Sequence, residues 1–290
     1  MITYGAVMKK RTRRILTGLL LLIAIFAAVR FAQSLLESHR SQEDYQMALE
    51  IAGGHAETEA AVSETTTQTE PVQEDIPETE PVPEATEPPM PDDPVIEELM
   101  AMDLEALRDE NEDVVGWIQI PETSVNYPLL QWTDNDFYLH HTWQQHKNGA
   151  GSIFMDYQSA TDFSDFNTII YGHNMRNGTM FSSLRSYAVS GYWEKHPHFY
   201  IRTDAGVARY DIFAIQSAST DSIIYGLGID TQQRKQQFLR FATGYSLFDT
   251  GIIPTTDDSI VTLSTCTGNG HAHRWVVIGM LNEEASYLPG

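Results

Sequence analysis

The hydrophobic pattern divides the chain into three stretches. From Ile15 to Val29, fifteen consecutive positions carry no charge and are mostly apolar. That run falls short of the ~20 residues needed to cross a hydrocarbon core. It reaches that length through Leu36 if Arg30 snorkels to the interface, so a transmembrane segment is expected over 15–36. Between about Ser41 and Pro94 the apolar periodicity fades. It returns at Val95, Ile96, Leu99, Met102, Leu104 and Leu107, whose spacing predicts a helix over roughly 95–110. Short β-branched and aromatic segments follow at 114–120, 125–131, 152–155, 167–171, 198–202, 208–217, 259–266 and 275–281, with Gly, Pro, Asn and Asp clusters between them. A further helix is expected at about 230–246, where Phe238, Leu239 and Ala242 share a face. Many short strands with few helices predict a mainly β domain, a barrel or sandwich with helical additions.

Charge sharpens these boundaries. Residues 1–40 hold seven Lys/Arg and one Asp/Glu, whereas 41–100 hold seventeen Asp/Glu and no Lys/Arg. The basic cluster ahead of the apolar run and the acidic stretch behind it place the N-terminus inside by the positive-inside rule. A cleaved signal peptide is the competing reading, but Arg30 and Phe31 interrupt the position where a small-residue cleavage site would stand. Residues 70–91 repeat Glu, Thr, Pro and Val, a composition that cannot bury enough surface to order itself. As a flexible coil such a stalk has its ends roughly 40 Å apart. The expected organisation is a basic N-terminus at 1–14, an anchor at 15–36, an acidic stalk at 37–94 and a globular domain at 95–290. The net charge of −22 offers no basic stripe for phosphates, which argues against nucleic-acid binding.

The chain has one cysteine, so a disulfide framework is excluded. Cys266 ends the segment Ser259–Cys266, and after seven intervening residues Arg274 opens the next strand. Gly268-Asn269-Gly270 between them is turn chemistry, and the simplest structure is an antiparallel hairpin that brings Cys266 and Arg274 together. A guanidinium there favours the thiolate and offers donors to an oxyanion. A second strand ends in Tyr171-Gly172-His173, where the imidazole can exchange protons near neutral pH. His271 and His273 could join Cys266 on zinc, but three ligands without a partner motif fall short of a site. No metal or other cofactor is expected.

Thr262-Leu263-Ser264-Thr265-Cys266 is similar to the TLxTC signature of sortases, with Arg274 downstream and Tyr171-Gly172-His173 upstream. Asp113 to Pro121, Val125 to Pro128, Asp134 to Leu139 and His173 to Phe181 resemble class B blocks, so the likeness covers about residues 95–282. The resemblance implies an eight-stranded sortase-type β-barrel with an N-terminal helix and a helix in the long connection before the Cys strand. It implies a cysteine transpeptidase in which Cys266 is the nucleophile, His173 the general acid/base and Arg274 the oxyanion partner. It also implies substrate contacts at Ser264, Thr265, Asn135, Leu139, Ile224 and Tyr225.

Such an enzyme sits in the cell membrane with its catalytic domain outside. It cleaves the sorting signal of an exported protein after Thr and transfers that protein to the amine of a lipid-linked peptidoglycan precursor or cell-wall peptide. Two alternatives stand beside it. One is a class C, pilus-polymerising sortase, since Asp93-Pro94 resembles the lid motif of that class; the expected C-terminal membrane segment does not follow. The other is a non-catalytic wall-associated scaffold that retains the barrel.

Overall fold

The structure, a computed structural model, describes residues 10–53, 90–266 and 272–289, with side chains described from Ile15 on except at position 266. The first element, α1 (Lys10–Gly53), is continuous and at 1.5 Å per residue about 66 Å long. Its two halves differ. Leu20, Phe26 and Leu36 are 58%, 68% and 60% exposed, as expected of a helix apolar all round with no protein partner. It is long and apolar enough to cross a membrane. Farther on, Ser41, Tyr45, Ala48 and Ala52 are buried at helical spacing against the globular domain. The expected stalk over 37–94 therefore needs correction at its start, because 37–53 are helical and packed. Of the remainder, 54–89 lie outside the described residues and Pro94 already starts the next helix.

The single helix expected over 95–110 is two. Asp93 caps α2 (Pro94–Met100) by accepting from the Val95 N–H, and Asp103 caps α3 (Leu104–Glu110) by accepting from Ala106 N–H. Each cap satisfies a donor orphaned at a helix start, while Ile96, Leu99, Leu104 and Leu107 keep one buried stripe running through both helices. Asp93-Pro94 thus starts a helix; the Asp93 carboxylate also accepts from Tyr200 Oη at 2.6 Å.

Eight strands follow: β1 (Val114–Gln119), β2 (Asn126–Leu130), β3 (Ile153–Met155), β4 (Asn167–Tyr171), β5 (His198–Thr203), β6 (Gly206–Ser219), β7 (Ile260–Cys266) and β8 (His273–Leu281). They close into a barrel in the order β1-β2-β3-β4-β7-β8-β6-β5. The pairs β2–β3 and β4–β7 are parallel and the rest antiparallel. Strand alternation separates two cores. Val261 and Leu263 join Trp117, Ile170 and Val277 in the main core. Ile260, Val276 and Ile278 face the other way, under a 3-10 turn (Ile223–Tyr225) and α4 (Gln232–Gly244), whose Phe238 and Ala242 are fully buried. Burying a side chain of Phe238's size contributes about 2–3 kcal/mol, enough to hold this excursion on the sheet. A polar link adds to it: Thr262 Oγ1 donates to Asn167 Oδ1 (2.8 Å), and Asn167 Nδ2 donates to the Ile224 carbonyl (3.2 Å). With both faces covered, β8 reads as a nearly continuous apolar run from Trp275 on. The outer cover stops at position 264, where a cavity begins.

Candidate active site

Three neighbouring strands end at one rim of the barrel. In the parallel pair β4–β7, Tyr171 stands beside Ser264. Gly172 N–H donates to the Ser264 carbonyl at 3.2 Å, which carries the pairing one step farther, towards His173 and Cys266. In the antiparallel pair β7–β8 the register partner of Cys266 is Arg274. The antiparallel pairing expected of the hairpin is therefore present and seats Cys266 and Arg274 opposite one another; the expected turn, Gly268-Asn269-Gly270, lies outside the described residues. By alternation, position 266 falls on the same side of the sheet as Ser264, the outer side.

That side opens into a cavity of about 290 Å³. His173, Arg274, Ser264, Thr265, Asn135, Leu139 and Tyr225 all line it. Of the residues expected at the site, Ile224 is not among the lining residues. It is fully buried in the core beneath α4, while its neighbour Tyr225 turns outward and its phenol meets Ser264 Oγ at 2.9 Å. Among the described residues no cluster of three or more His, Cys, Asp or Glu is placed to hold a metal ion; His271, weighed above as a zinc ligand, lies outside them.

The histidine is held by its surroundings. His173 Nε2 lies 2.8 Å from the Leu139 carbonyl oxygen. Behind it, Gly151 has φ +61°, and a Cβ there would come within 2.7 Å of the Tyr138 carbonyl, 2.8 Å of the Leu139 carbonyl and 3.0 Å of His173 Cδ2. Gly172 is equally constrained, because a Cβ would run into Ile153 and the Phe181 ring. These two glycines let backbone and imidazole pack where any side chain would displace them.

Three lining residues went unrecognised in the sequence: Phe154, Tyr171 and Thr220. Tyr171 Oη donates to Asp156 Oδ2 (2.9 Å), which also accepts from Asn135 Nδ2 (2.8 Å). Burial, and then the Asp156 carboxylate, push the Tyr171 phenol far above its usual range, so it stays protonated and acts as a donor. Asp156 is 3% exposed and so orients two cavity side chains from within the wall. Thr220 arrives through pairing: its N–H donates to Ala272 just beyond the last β6–β8 pair, Ser219 with His273. Nothing local to Thr220 signals this.

A cysteine whose register partner is an arginine, with a held imidazole at the same rim, is a set of residues suited to acyl transfer through a covalent intermediate. The comparisons point the same way. A sortase domain family model matches residues 118–282. Sortase B of Listeria monocytogenes is 39% identical over 166 residues, 57% of this chain and 67% of that protein. Sortase B of Staphylococcus aureus is 34% identical over 162 residues, 56% of this chain and 66% of that one. Among solved structures, sortase B from Listeria monocytogenes superposes with a TM-score of 0.56 at 37% identity, covering 62% of this chain and 100% of that one. A Staphylococcus aureus sortase B–substrate complex gives 0.59 at 32% identity, covering 62% and 84%.

Proposed function

Because this chain belongs to the sortase family of cysteine transpeptidases and is most similar to its class B members, we propose that it cleaves the C-terminal sorting signal of an exported protein after a threonine and joins that protein to an amine of the cell wall or its lipid-linked precursor. The observation that carries this reading is the meeting of the ends of β4, β7 and β8. It supports Cys266 as nucleophile, Arg274 as oxyanion partner and His173 as acid and base.

The reaction has two balanced halves. The Cys266 thiolate attacks the threonyl carbonyl, and the Arg274 N–H groups stabilise the oxyanion. The C–N bond then breaks, and the imidazolium of His173 gives its proton to the leaving amine. An acceptor amine next attacks the thioester, His173 takes the proton, and the thiolate leaves. The Leu139 carbonyl can only accept, so Nε2 of the neutral ring carries the proton and Nδ1 is the nitrogen left to exchange one. Ser264, Thr265, Asn135, Leu139 and Tyr225 supply a groove for the signal. The exposed apolar half of α1 supports a membrane anchor, with the barrel outside.

The test is to incubate the chain, with its packed helix 37–53 retained, with a library of sorting-signal peptides and to analyse it by mass spectrometry. A peptide thioester on Cys266, absent from Cys266→Ala, is the expected product. A folded chain that cleaves no peptide would sink the transpeptidase reading for this protein.

A further inference from the structure

The apolar half of α1 ends at Leu36, and within the next turn the helix already touches the barrel. Asn148 Nδ2 donates to the Glu37 carbonyl (3.0 Å), and Asn177 Nδ2 donates to Ser38 Oγ (2.8 Å). Between helix and barrel runs a groove lined by Ser34, Leu35 and Glu37 on one side and by Asn148, Met175 and Arg176 on the other. If α1 crosses a membrane, as proposed above, the surface it emerges from meets this rim. The anchor and the catalytic domain are then joined by unbroken helix.

The charges on the rim fit that surface. Lys147, Arg176 and Arg185 are exposed, and among the described residues none forms an ion pair. Elsewhere on the domain Arg108, Arg209 and Arg234 pair with Asp204, Asp211 and Asp230, while Lys195 and Arg240 stand exposed without an ion pair among the described residues but share no groove with α1. Glu37, which lines the groove and forms no ion pair among the described residues, offsets one of the three rim cations and leaves them in excess, while Asp44 lies 3.7 Å from His146. Arg176 and Arg185 also share a shallow depression with the hydroxyl-bearing Ser182, Ser183 and Ser186. Ser183 Oγ is buried and has no hydrogen-bond partner among the described residues. Guanidinium groups with hydroxyls beside them suit phosphodiester oxygens.

We propose that this rim, formed by α1 around Leu35–Ser38, by Lys147, and by the loop and 3-10 turn that carry Arg176 and Arg185, docks on the anionic phospholipid headgroups of the membrane that α1 enters. The loop from Asn174 to Met180 begins immediately after His173 and is closed by a bridge between those two residues. Docking therefore seats the catalytic rim at headgroup level. Each juxtamembrane cation near such a surface is worth roughly fivefold in surface affinity, and salt weakens the effect over about 8 Å.

The experiment uses the full chain in nanodiscs of phosphatidylcholine alone or mixed with phosphatidylglycerol, reading backbone hydrogen exchange over 174–186. The anionic discs should slow exchange there by about tenfold. Arg176→Glu with Arg185→Glu should abolish that protection while cleavage of a soluble peptide persists, and the corresponding Arg→Lys pair should largely keep it. A chain retained in the discs whose exchange is the same in both lipids overturns the docking face and leaves the anchor standing. A chain that leaves the discs altogether overturns both. Protection produced in neutral discs by an isoprenoid diphosphate, but not by phosphatidylglycerol, overturns the phospholipid as occupant.

Discussion

His173 and Leu139 are joined by a 2.8 Å contact between imidazole Nε2 and a backbone carbonyl oxygen, and that contact fixes which ring nitrogen is free for proton transfer. The contact depends on Gly151, whose missing Cβ leaves space for both groups. Gly151→Ala should displace the Leu139 carbonyl and the ring together. Turnover should fall by at least about tenfold, since small misplacements of a catalytic group are costly. Peptide-cleavage kinetics with a circular-dichroism check of folding would decide it. A variant with wild-type turnover would remove Gly151 from the positioning of His173.

Arg274 faces Cys266 across the β7–β8 ladder. Arg274→Ala should slow acylation by about 10²–10³, the usual effect of removing one oxyanion donor. Arg274→Lys should recover only part of this, because an ammonium lacks the planar fork of donors. Stopped-flow measurement of thioester formation separates acylation from deacylation.

Asp156 accepts from Asn135 and Tyr171 and also from the Gln158 N–H at 3.0 Å. Asp156→Ala should lower stability by about 2–4 kcal/mol, because it leaves buried donors unpaired. It should also raise KM more than it lowers kcat, since both oriented side chains line the cavity without being the reacting groups. Thermal melts and full Michaelis curves test the two parts separately.

Tyr45 ties α1 to the site. Its hydroxyl donates to the Gly151 carbonyl at 2.7 Å and lies 3.2 Å from Ser152 Oγ. Its ring packs edge-on against Tyr127 at 4.9 Å. Tyr45→Phe keeps the ring and loses the bond, at a cost of about 1–2 kcal/mol. Removing residues 10–53 should cost more, because Trp143, whose indole N–H donates to the Asp44 carbonyl, loses that partner as well. Chemical denaturation of the three forms should rank them in this order.

High pH should unfold the domain. Burial raises the Tyr138, Tyr171, Tyr187 and Tyr210 phenols in the folded state. Their contribution to stability is fully present below about pH 10, the ordinary tyrosine value. It is lost as pH climbs past that point, because the unfolded chain releases protons that the folded one retains. Unfolding midpoints should decline from about pH 10 upward, with tyrosinate absorbance appearing only as the chain unfolds. Tyrosinate titrating at ordinary pH in a chain that stays folded would contradict the burial assigned to these rings.

Much of this was legible along the chain, and the exceptions have physical causes. β-Branched and aromatic runs set between turn formers marked every strand to within a few residues. The Cys266–Arg274 pairing could be read directly, because only seven residues separate the two and they include turn formers. The β4–β7 pairing could not, since parallel neighbours need long crossovers and no local signal names the partner. Ile224 and Tyr225 looked alike as groove residues, yet adjacent positions on a tight turn point in opposite directions, one into the core and one into the cavity. The packed end of α1 was missed because its stripe is Ser41, Tyr45, Ala48 and Ala52, too weakly apolar to stand out in an acidic segment.

The parallel pairing of β4 with β7 also bears on the order in which the molecule becomes active. Its partners lie about ninety residues apart in the chain, and such distant contacts are among the slower ones to form. Until that pair zips, the end of β7 has not met the end of β4 that leads into His173, even if the local β7–β8 pairing has already set Arg274 opposite Cys266. On the roles proposed above, the newly made chain therefore carries a nucleophile without its partners. On those roles, reactivity arrives with the closing of the barrel, so folding itself serves as the activation step.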